Sequence, residues 1–270
     1  MINCSDPTGR IHTELIEGGP RRIVFLHGLM GRGKNFTTIA KGLQDTTSSL
    51  LVDLPNHGAS CWTTEFDYIE MADLVAEELR RDFCKERPAV ILGHSMGGKV
   101  AMLLALRHPE LTAGLIIEDI SPARSTTSEF EHLLGTLLNL DLSQVSSRRD
   151  AHAKLKTDID DAGVRGFLLQ NLIRDDNEGF IWQPNLQMLY NNLATIVDFP
   201  DVAQSYDRHP VLWVKGSESD YVNDEAAETM RKLFPMTRKI QIRNAGHWVH
   251  SEQPRAFLET IDYYIAGRYT

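Results

Sequence analysis

The chain has 270 residues, 42% hydrophobic and 24% charged, with 28 Lys and Arg against 37 Asp and Glu for a formal charge of -9. These values exclude a disordered, collagen-like or membrane-embedded protein and allow one large domain or two small ones around a sizeable core. An acidic surface repels phosphate backbones, and basic runs such as Arg80-Arg81 and Arg148-Arg149 are isolated pairs interrupted by acids, so no nucleic-acid partner is expected.

Along the chain, Arg10 to Ile16 reads as a short strand after the turn Asp6-Pro7-Thr8-Gly9. Arg22-Ile23-Val24-Phe25-Leu26 is apolar on both faces, which suits a central strand of a covered sheet. Leu50-Leu51-Val52 is a second such run, and Tyr68 to Cys84 has helical spacing at Met71, Leu74, Val75 and Leu79 before Pro88. Ala89-Val90-Ile91-Leu92 is a third strand, followed by a Gly/Ser turn and a helix from Met96 to Arg107; Leu115-Ile116-Ile117 is a fourth. This alternation predicts an α/β fold with a mostly parallel sheet flanked by helices.

The alternation then stops. From about 121 to 206 the pattern is helical with no strand run, and strands resume at Val211-Leu212-Trp213-Val214 and Lys239-Ile240-Gln241-Ile242. The expected organisation is one sheet domain, residues 1–120 and 207–270, with a helical cap over 121–206. An insertion after a strand's carboxyl end lies over the place where open α/β sheets bind ligands.

Three cysteines, Cys4, Cys61 and Cys84, form no C-x-x-C and no paired spacing, so neither a disulfide nor a structural zinc site is expected. The start Met1-Ile2-Asn3-Cys4-Ser5-Asp6-Pro7 shows no signal-peptide pattern, and no run of eighteen apolar residues is present. The expectation is a soluble cytoplasmic protein with no membrane partner. Oligomeric state leaves no mark in the sequence.

The segment Gly93-His94-Ser95-Met96-Gly97 is G-x-S-x-G between a predicted strand and a predicted helix. The five-residue pattern is common, but in this context it describes a sharp turn that holds a serine hydroxyl above the sheet at a helix N-terminus. A serine nucleophile needs a base. Five of the ten histidines have no motif around them: His12, His108, His132, His152 and His209 fall on predicted surfaces. His247, in Asn244-Ala245-Gly246-His247-Trp248, follows the last strand and reaches the same sheet edge as Ser95; His250 is the fallback. The imidazole needs a carboxylate, and two stand at strand ends in the order Ser, acid, His: Asp119 and Asp220. Either could instead cap a helix or turn. Oxyanion donors are expected from the N–H groups of Met96 and Leu29, the latter in His27-Gly28-Leu29-Met30-Gly31. Gly28 to Asn35 nearly spells a P-loop, but Asn35 replaces the hydroxyl residue that would hold Mg²⁺, so nucleotide hydrolysis is not expected.

The segments His27-Gly28-Leu29-Met30-Gly31, Asp53-Leu54-Pro55-Asn56-His57-Gly58-Ala59-Ser60, Gly93 to Lys99 and Ala245-Gly246-His247 resemble the α/β-hydrolases over nearly the whole chain. More narrowly, the Asn-His-Gly-x-Ser loop, Gly-His-Ser-Met-Gly-Gly-Lys and Asp119-Ile120-Ser121-Pro122 are similar to YbfF-type bacterial esterases and their abhydrolase-domain-11 and ethanol acetyltransferase relatives. Phe167 to Leu172 and Trp182-Gln183-Pro184-Asn185-Leu186 resemble two motifs of that family's four-helix cap. The resemblance implies a triad acid at Asp119. Asp220 departs from the family pattern, and Gln183 stands where relatives carry an Arg, which removes any acid-recognising role of that side chain.

The expected activity is a serine carboxylesterase on short- to medium-chain acyl esters, with no metal or organic cofactor. An acyl thioesterase or alcohol acyltransferase would use the same residues, and a hydrolase-fold small-molecule receptor is the alternative from another class. Met30, His94, Leu134, Leu138, Trp182 and Trp248 are the expected lining of the substrate pocket.

Overall fold

The computed structural model describes residues 2–123, 128–175, 179–224 and 226–267. Six strands make one sheet: β1 (Thr13–Leu26), β2 (Thr47–Val52), β3 (Ala89–His94), β4 (Thr112–Glu118), β7 (Val211–Gly216) and β8 (Thr237–Ile242). Their spatial order is β2-β1-β3-β4-β7-β8. The pairs from β1/β3 outward to β7/β8 are parallel. The strands β5 (Leu172–Asp175) and β6 (Gly179–Trp182) form a separate antiparallel pair.

The continuous apolar runs are buried because helices cover both faces. Successive strand residues point to opposite layers. Val24, Leu26, Ile91, Leu115, Ile117 and Trp213 pack with α2 (Tyr68–Arg81) and α3 (Met96–Arg107). Ile23, Phe25, Leu92, Ile116 and Leu212 pack on the other side with α1 (Thr37–Leu43) and α11 (Pro254–Ile265). Asp67 starts α2 by accepting the N–H groups of Ile69 and Glu70, which offsets two otherwise unsatisfied donors.

The first two expected strands are one element. β1 runs unbroken through Pro20 and lies along β2 twice: Arg22 faces Ser48 and Leu26 faces Val52, while earlier Thr13 faces Val52 and Ile16 faces Ser49. The numbering therefore rises together in the second stretch and in opposite senses in the first.

Between β4 and β7 lie α4 (Ser128–Asn139), α5 (Arg148–Lys154), α6 (Ala162–Leu169), α7 (Leu186–Asn191) and α8 (Leu193–Ile196). This segment also contains the β5/β6 pair, where the sequence led us to expect no strand. Four residues per strand are too few to leave a readable period. Toward the C-terminus, α9 (Ala227–Leu233) and α10 (Val249–Glu252) complete the set.

The cysteine expectation is overturned. Cys4 and Cys61 form a disulfide across a sequence separation of 57, and Cys84 is the free, buried cysteine. Backbone pairing makes the approach: Asn3 bridges Trp62, and the Cys4 N–H donates to the Trp62 carbonyl at 2.7 Å. Two cysteines so far apart carry no spacing signal. Among the described residues, no helix is long and apolar enough to cross a membrane.

Candidate active site

Ser95 stands between β3 and α3 with φ 52° and ψ -122°, in the left-handed half of backbone space that a non-glycine residue adopts only under constraint. The glycines on either side make that turn possible. A Cβ on Gly93 would sit 2.2 Å from the Gly97 carbonyl oxygen, and one on Gly97 would sit 2.4 Å from the carbonyl oxygens of Leu26 and His27. The turn therefore closes only without side chains at both positions.

Around this serine the chain assembles a connected set. The Ser95 hydroxyl lies 2.9 Å from His247 Nε2, and His247 Nδ1–H donates to Asp119 Oδ2 at 2.8 Å. Asp119 is fully buried and holds φ 49°. Its Oδ1 accepts the Gly216 N–H at 3.0 Å and its Oδ2 also accepts the Ser219 hydroxyl. A buried carboxylate with these donors stays an acceptor, which fixes the tautomer of His247 with its free nitrogen toward Ser95. Asp220, the other acid considered, is exposed and does not join the set.

The fallback base His250 faces elsewhere. Its Nδ1–H donates to Glu118 Oε1 at 2.7 Å, and its backbone N–H donates to the same oxygen at 2.8 Å. His94 Nε2–H donates to the His247 backbone carbonyl at 2.8 Å, tying the base loop to the residue before the serine. Burial drives the His94 imidazole well below its ordinary value, with His247 and His250 adding to the effect. His94, Glu118 and His250 are also the group of metal-ligand type among the described residues, their ligand atoms within 4.8 Å of one another. His94 Nε2 donates to the His247 carbonyl and His250 Nδ1 to Glu118 Oε1, while the buried Glu118 Oε2 has no hydrogen-bond partner among the described residues.

The loop expected to supply the second oxyanion donor lies against Ser95. A Cβ on Gly28 would approach His94 Nδ1 to 2.9 Å and Ser95 Cβ to 3.1 Å. His27 pins the loop: its Nδ1–H donates to the Gly28 carbonyl at 2.8 Å and its Nε2 accepts the Leu54 N–H at 2.9 Å. Among the described residues, the N–H groups of Leu29 and Met96 have no hydrogen-bond acceptor within the chain. The near-P-loop beside it is filled from within. Gly33 N–H donates to Asp53 Oδ1 at 2.8 Å, and Asn35 Nδ2–H donates to Gln170 Oε1 at 3.0 Å.

A cavity of about 70 Å³ opens onto Ser95 and His247. Of the residues named for the pocket, Met30, His94, Leu134 and Trp248 line this cavity, together with Leu29, Phe130, Phe167 and Tyr221. Leu138 and Trp182 do not line it; both pack partly buried against the core. Helical spacing identified an apolar face but not which part of that face turns from core to cavity.

Three contributors were not singled out in advance. Tyr221 stacks on the His247 ring with centroids 4.1 Å apart, and burial pushes its phenol up to about 12. Ser219 orients the acid as described. Lys99, one helical turn beyond Ser95, is buried and donates to the carbonyls of Ile196 at 3.1 Å and Asp198 at 2.8 Å, fastening the end of the insertion to α3. Burial pulls its ammonium down to about 7, against the opposing pull of Asp198. With Ser95 and Met96 it lines a smaller cavity of about 20 Å³. Lys99 ends the Gly93-to-Lys99 segment and Ser219 and Tyr221 flank Asp220, but only packing shows where their side chains go.

Known proteins share this fold. Residues 21–254 match the family model of the α/β-hydrolase fold. The sn-1-specific diacylglycerol lipase ABHD11 of Mus musculus is 35% identical over 251 residues, covering 90% of this chain and 80% of the relative. Esterase YbfF of Escherichia coli strain K12 is 30% identical over 243 residues, covering 90% and 92%. A solved structure of a marine microorganism esterase superposes with a TM-score of 0.89 at 29% identity, covering 94% of this chain and 98% of that one. With its match along most of its length, the chain belongs to the α/β-hydrolase fold family, as a hydrolase of esterase and lipase type.

Proposed function

We propose that the chain is a serine carboxylesterase that hydrolyses short- to medium-chain acyl esters through an acyl-enzyme. The observation that carries this reading is the unbroken path from Ser95 Oγ through His247 to Asp119, at 2.9 and 2.8 Å.

In the first half-reaction the Ser95 oxygen bonds to the ester carbonyl carbon while its proton passes to His247 Nε2. The Leu29 and Met96 N–H groups stabilise the negative charge that develops on the carbonyl oxygen. The carbon–alkoxy bond then breaks, and His247 returns the proton to the departing alcohol. In the second half-reaction water gives a proton to His247, its oxygen bonds to the acyl carbon, and the Ser95 ester breaks with return of that proton. Asp119 stays ionised throughout and stabilises the imidazolium.

The preference for short chains follows from space. A water-sized group needs about 10–15 Å³ on the same measure, so 70 Å³ beside Ser95 receives a short acyl group without rearrangement. Residues 121–206 act as a cap that covers this cavity, through Phe130, Leu134 and Phe167. A thioesterase or alcohol acyltransferase differs only in leaving group or acceptor, and a receptor would bind without turnover. Hydrolysis of p-nitrophenyl esters from acetate to palmitate, with Ser95→Ala in parallel, tests the reading. Activity greatest at short or medium chains and lost in the variant supports it; equal signals from both proteins, or none, count against it.

A further inference from the structure

Three side chains of metal-ligand type meet where the two central strands end. His94 closes β3 and Glu118 closes β4, and the two are partners in the parallel register. Register partners project to the same side of a sheet. There α10 brings in His250, whose ring stands 5.1 Å from that of His94. One nitrogen of each ring and one oxygen of Glu118 lie within 4.8 Å of one another, and all three residues are buried. Positions 94, 118 and 250 are too far apart in the chain to form a spacing motif.

The hydrogen bonds at this point leave one group over. Glu118 Oε1 accepts both the ring N–H and the backbone N–H of His250, while the buried Oε2 has no hydrogen-bond partner among the described residues. A buried carboxylate oxygen without a donor is costly, and a cation between the rings would satisfy it. The donor set selects the cation. Two imidazole nitrogens and one carboxylate suit Zn²⁺ and its transition-metal neighbours, whereas Mg²⁺ and Ca²⁺ take oxygen ligands. Ligand atoms on a tetrahedral zinc ion stand about 3.3 Å apart, so the cluster would have to contract only modestly from its present spread of at most 4.8 Å. Each ring keeps one proton, moved to the nitrogen that does not face the ion. His250 also lines a groove of about 620 Å³ between α1, α6 and α10, which gives an ion a way in.

We propose that His94, Glu118 and His250 form a transition-metal site of the zinc class beneath the loop that carries His247. His94 Nε2 lies 2.8 Å from the His247 backbone carbonyl, so a bound ion would tie the ends of β3 and β4 to that loop and stabilise the fold. The site is separate from the Ser95–His247–Asp119 set and does not depend on the ester-hydrolase reading.

The full chain, stripped with EDTA and returned to metal-free buffer, is titrated with Co²⁺, whose visible absorption reports tetrahedral coordination. About one equivalent should bind, and Zn²⁺ should displace it. Zn²⁺ in hundredfold excess over its Kd should raise the thermal unfolding midpoint, and Mg²⁺ should do neither. Glu118→Gln keeps a carbonyl oxygen for His250 but removes the charge. His250→Phe places a ring between Phe36 and Phe257, which flank His250 now. Each variant should weaken Co²⁺ binding about a hundredfold. His247→Ala separates this site from the triad and should bind Co²⁺ as the unaltered chain does. No Co²⁺ band in the unaltered chain, undiminished affinity in a folded Glu118→Gln or His250→Phe variant, or loss of the band in His247→Ala would overturn the proposal. If one variant fails to fold, the other and the titration of the unaltered chain decide.

Discussion

Two consecutive carboxylates at the end of β4 each hold a histidine through its Nδ1, and the two pairs differ in what surrounds the histidine. Asp119 binds His247 at 2.8 Å and Glu118 binds His250 at 2.7 Å. Both acids are fully buried. Adjacent residues leaving a strand point to opposite sides, so one pair faces the reaction cavity and the other the layer beneath α11. His247 has a serine hydroxyl within 2.9 Å and a cavity beside it. His250 has the rings of Phe36 at 4.5 Å and Phe257 at 6.2 Å, and no hydroxyl takes part in its pairing with Glu118. A histidine–carboxylate pair is therefore a common unit. It becomes a site where a constrained nucleophile, free N–H donors and room for a substrate converge on it.

The contrast breaks most sharply at the acid. Asp119→Asn should lower kcat/KM by about 10⁴-fold, because an amide cannot hold His247 in the required tautomer. Retention of most activity in that variant would place the acid elsewhere. A large effect on stability is expected from the buried histidines that burial keeps neutral, His27 against the opposing pull of Asp53. Burial, aided by His27, pushes the His57 imidazole down to about 3, and burial lowers His27 and His94 as well. The unfolded chain protonates these rings near pH 6.5 while the folded chain keeps them neutral, so stability falls as pH drops from about 6.5 toward 3. His57 alone contributes a slope of about 1.4 kcal/mol per pH unit over that window. Urea unfolding at pH 7, 6 and 5 should show the decline, and His57→Gln should flatten it by about one proton.

Glu118→Ala tests the other pair. It leaves His250 without its acceptor and should cost about 2–3 kcal/mol in urea unfolding, with less than about a tenfold change in kcat/KM. A loss as large as that of Asp119→Asn would mean the two pairs share one role. The smallest effect belongs to Asp220→Asn. An exposed carboxylate outside the network should leave ester hydrolysis within about twofold.

Much of this was legible in the residues. Apolar runs marked the central strands, the glycines at 93 and 97 marked a turn that only their lack of side chains permits, and Gly246 before His247 marked a loop at the same edge. The choice between Asp119 and Asp220 was open on sequence physics because both follow strands. Exposure separates them in three dimensions, and that quantity depends on which side each residue leaves its strand. Ser219 and Tyr221 flank Asp220 in sequence yet serve the Asp119 pair, one by a hydroxyl and one by a ring. The Cys4–Cys61 bridge depends on backbone pairing between segments almost sixty residues apart. Leu138 and Trp182 were expected at the pocket under the cap, while packing sets both against the core.

The most direct test of the Ser95–His247–Asp119 account is rapid-quench mass spectrometry on the protein mixed with a p-nitrophenyl ester. One acyl group per chain should accumulate on the Ser95 peptide, together with a burst of about one equivalent of p-nitrophenol. Undiminished turnover in Ser95→Ala, or acylation mapped to a different residue, would contradict the account.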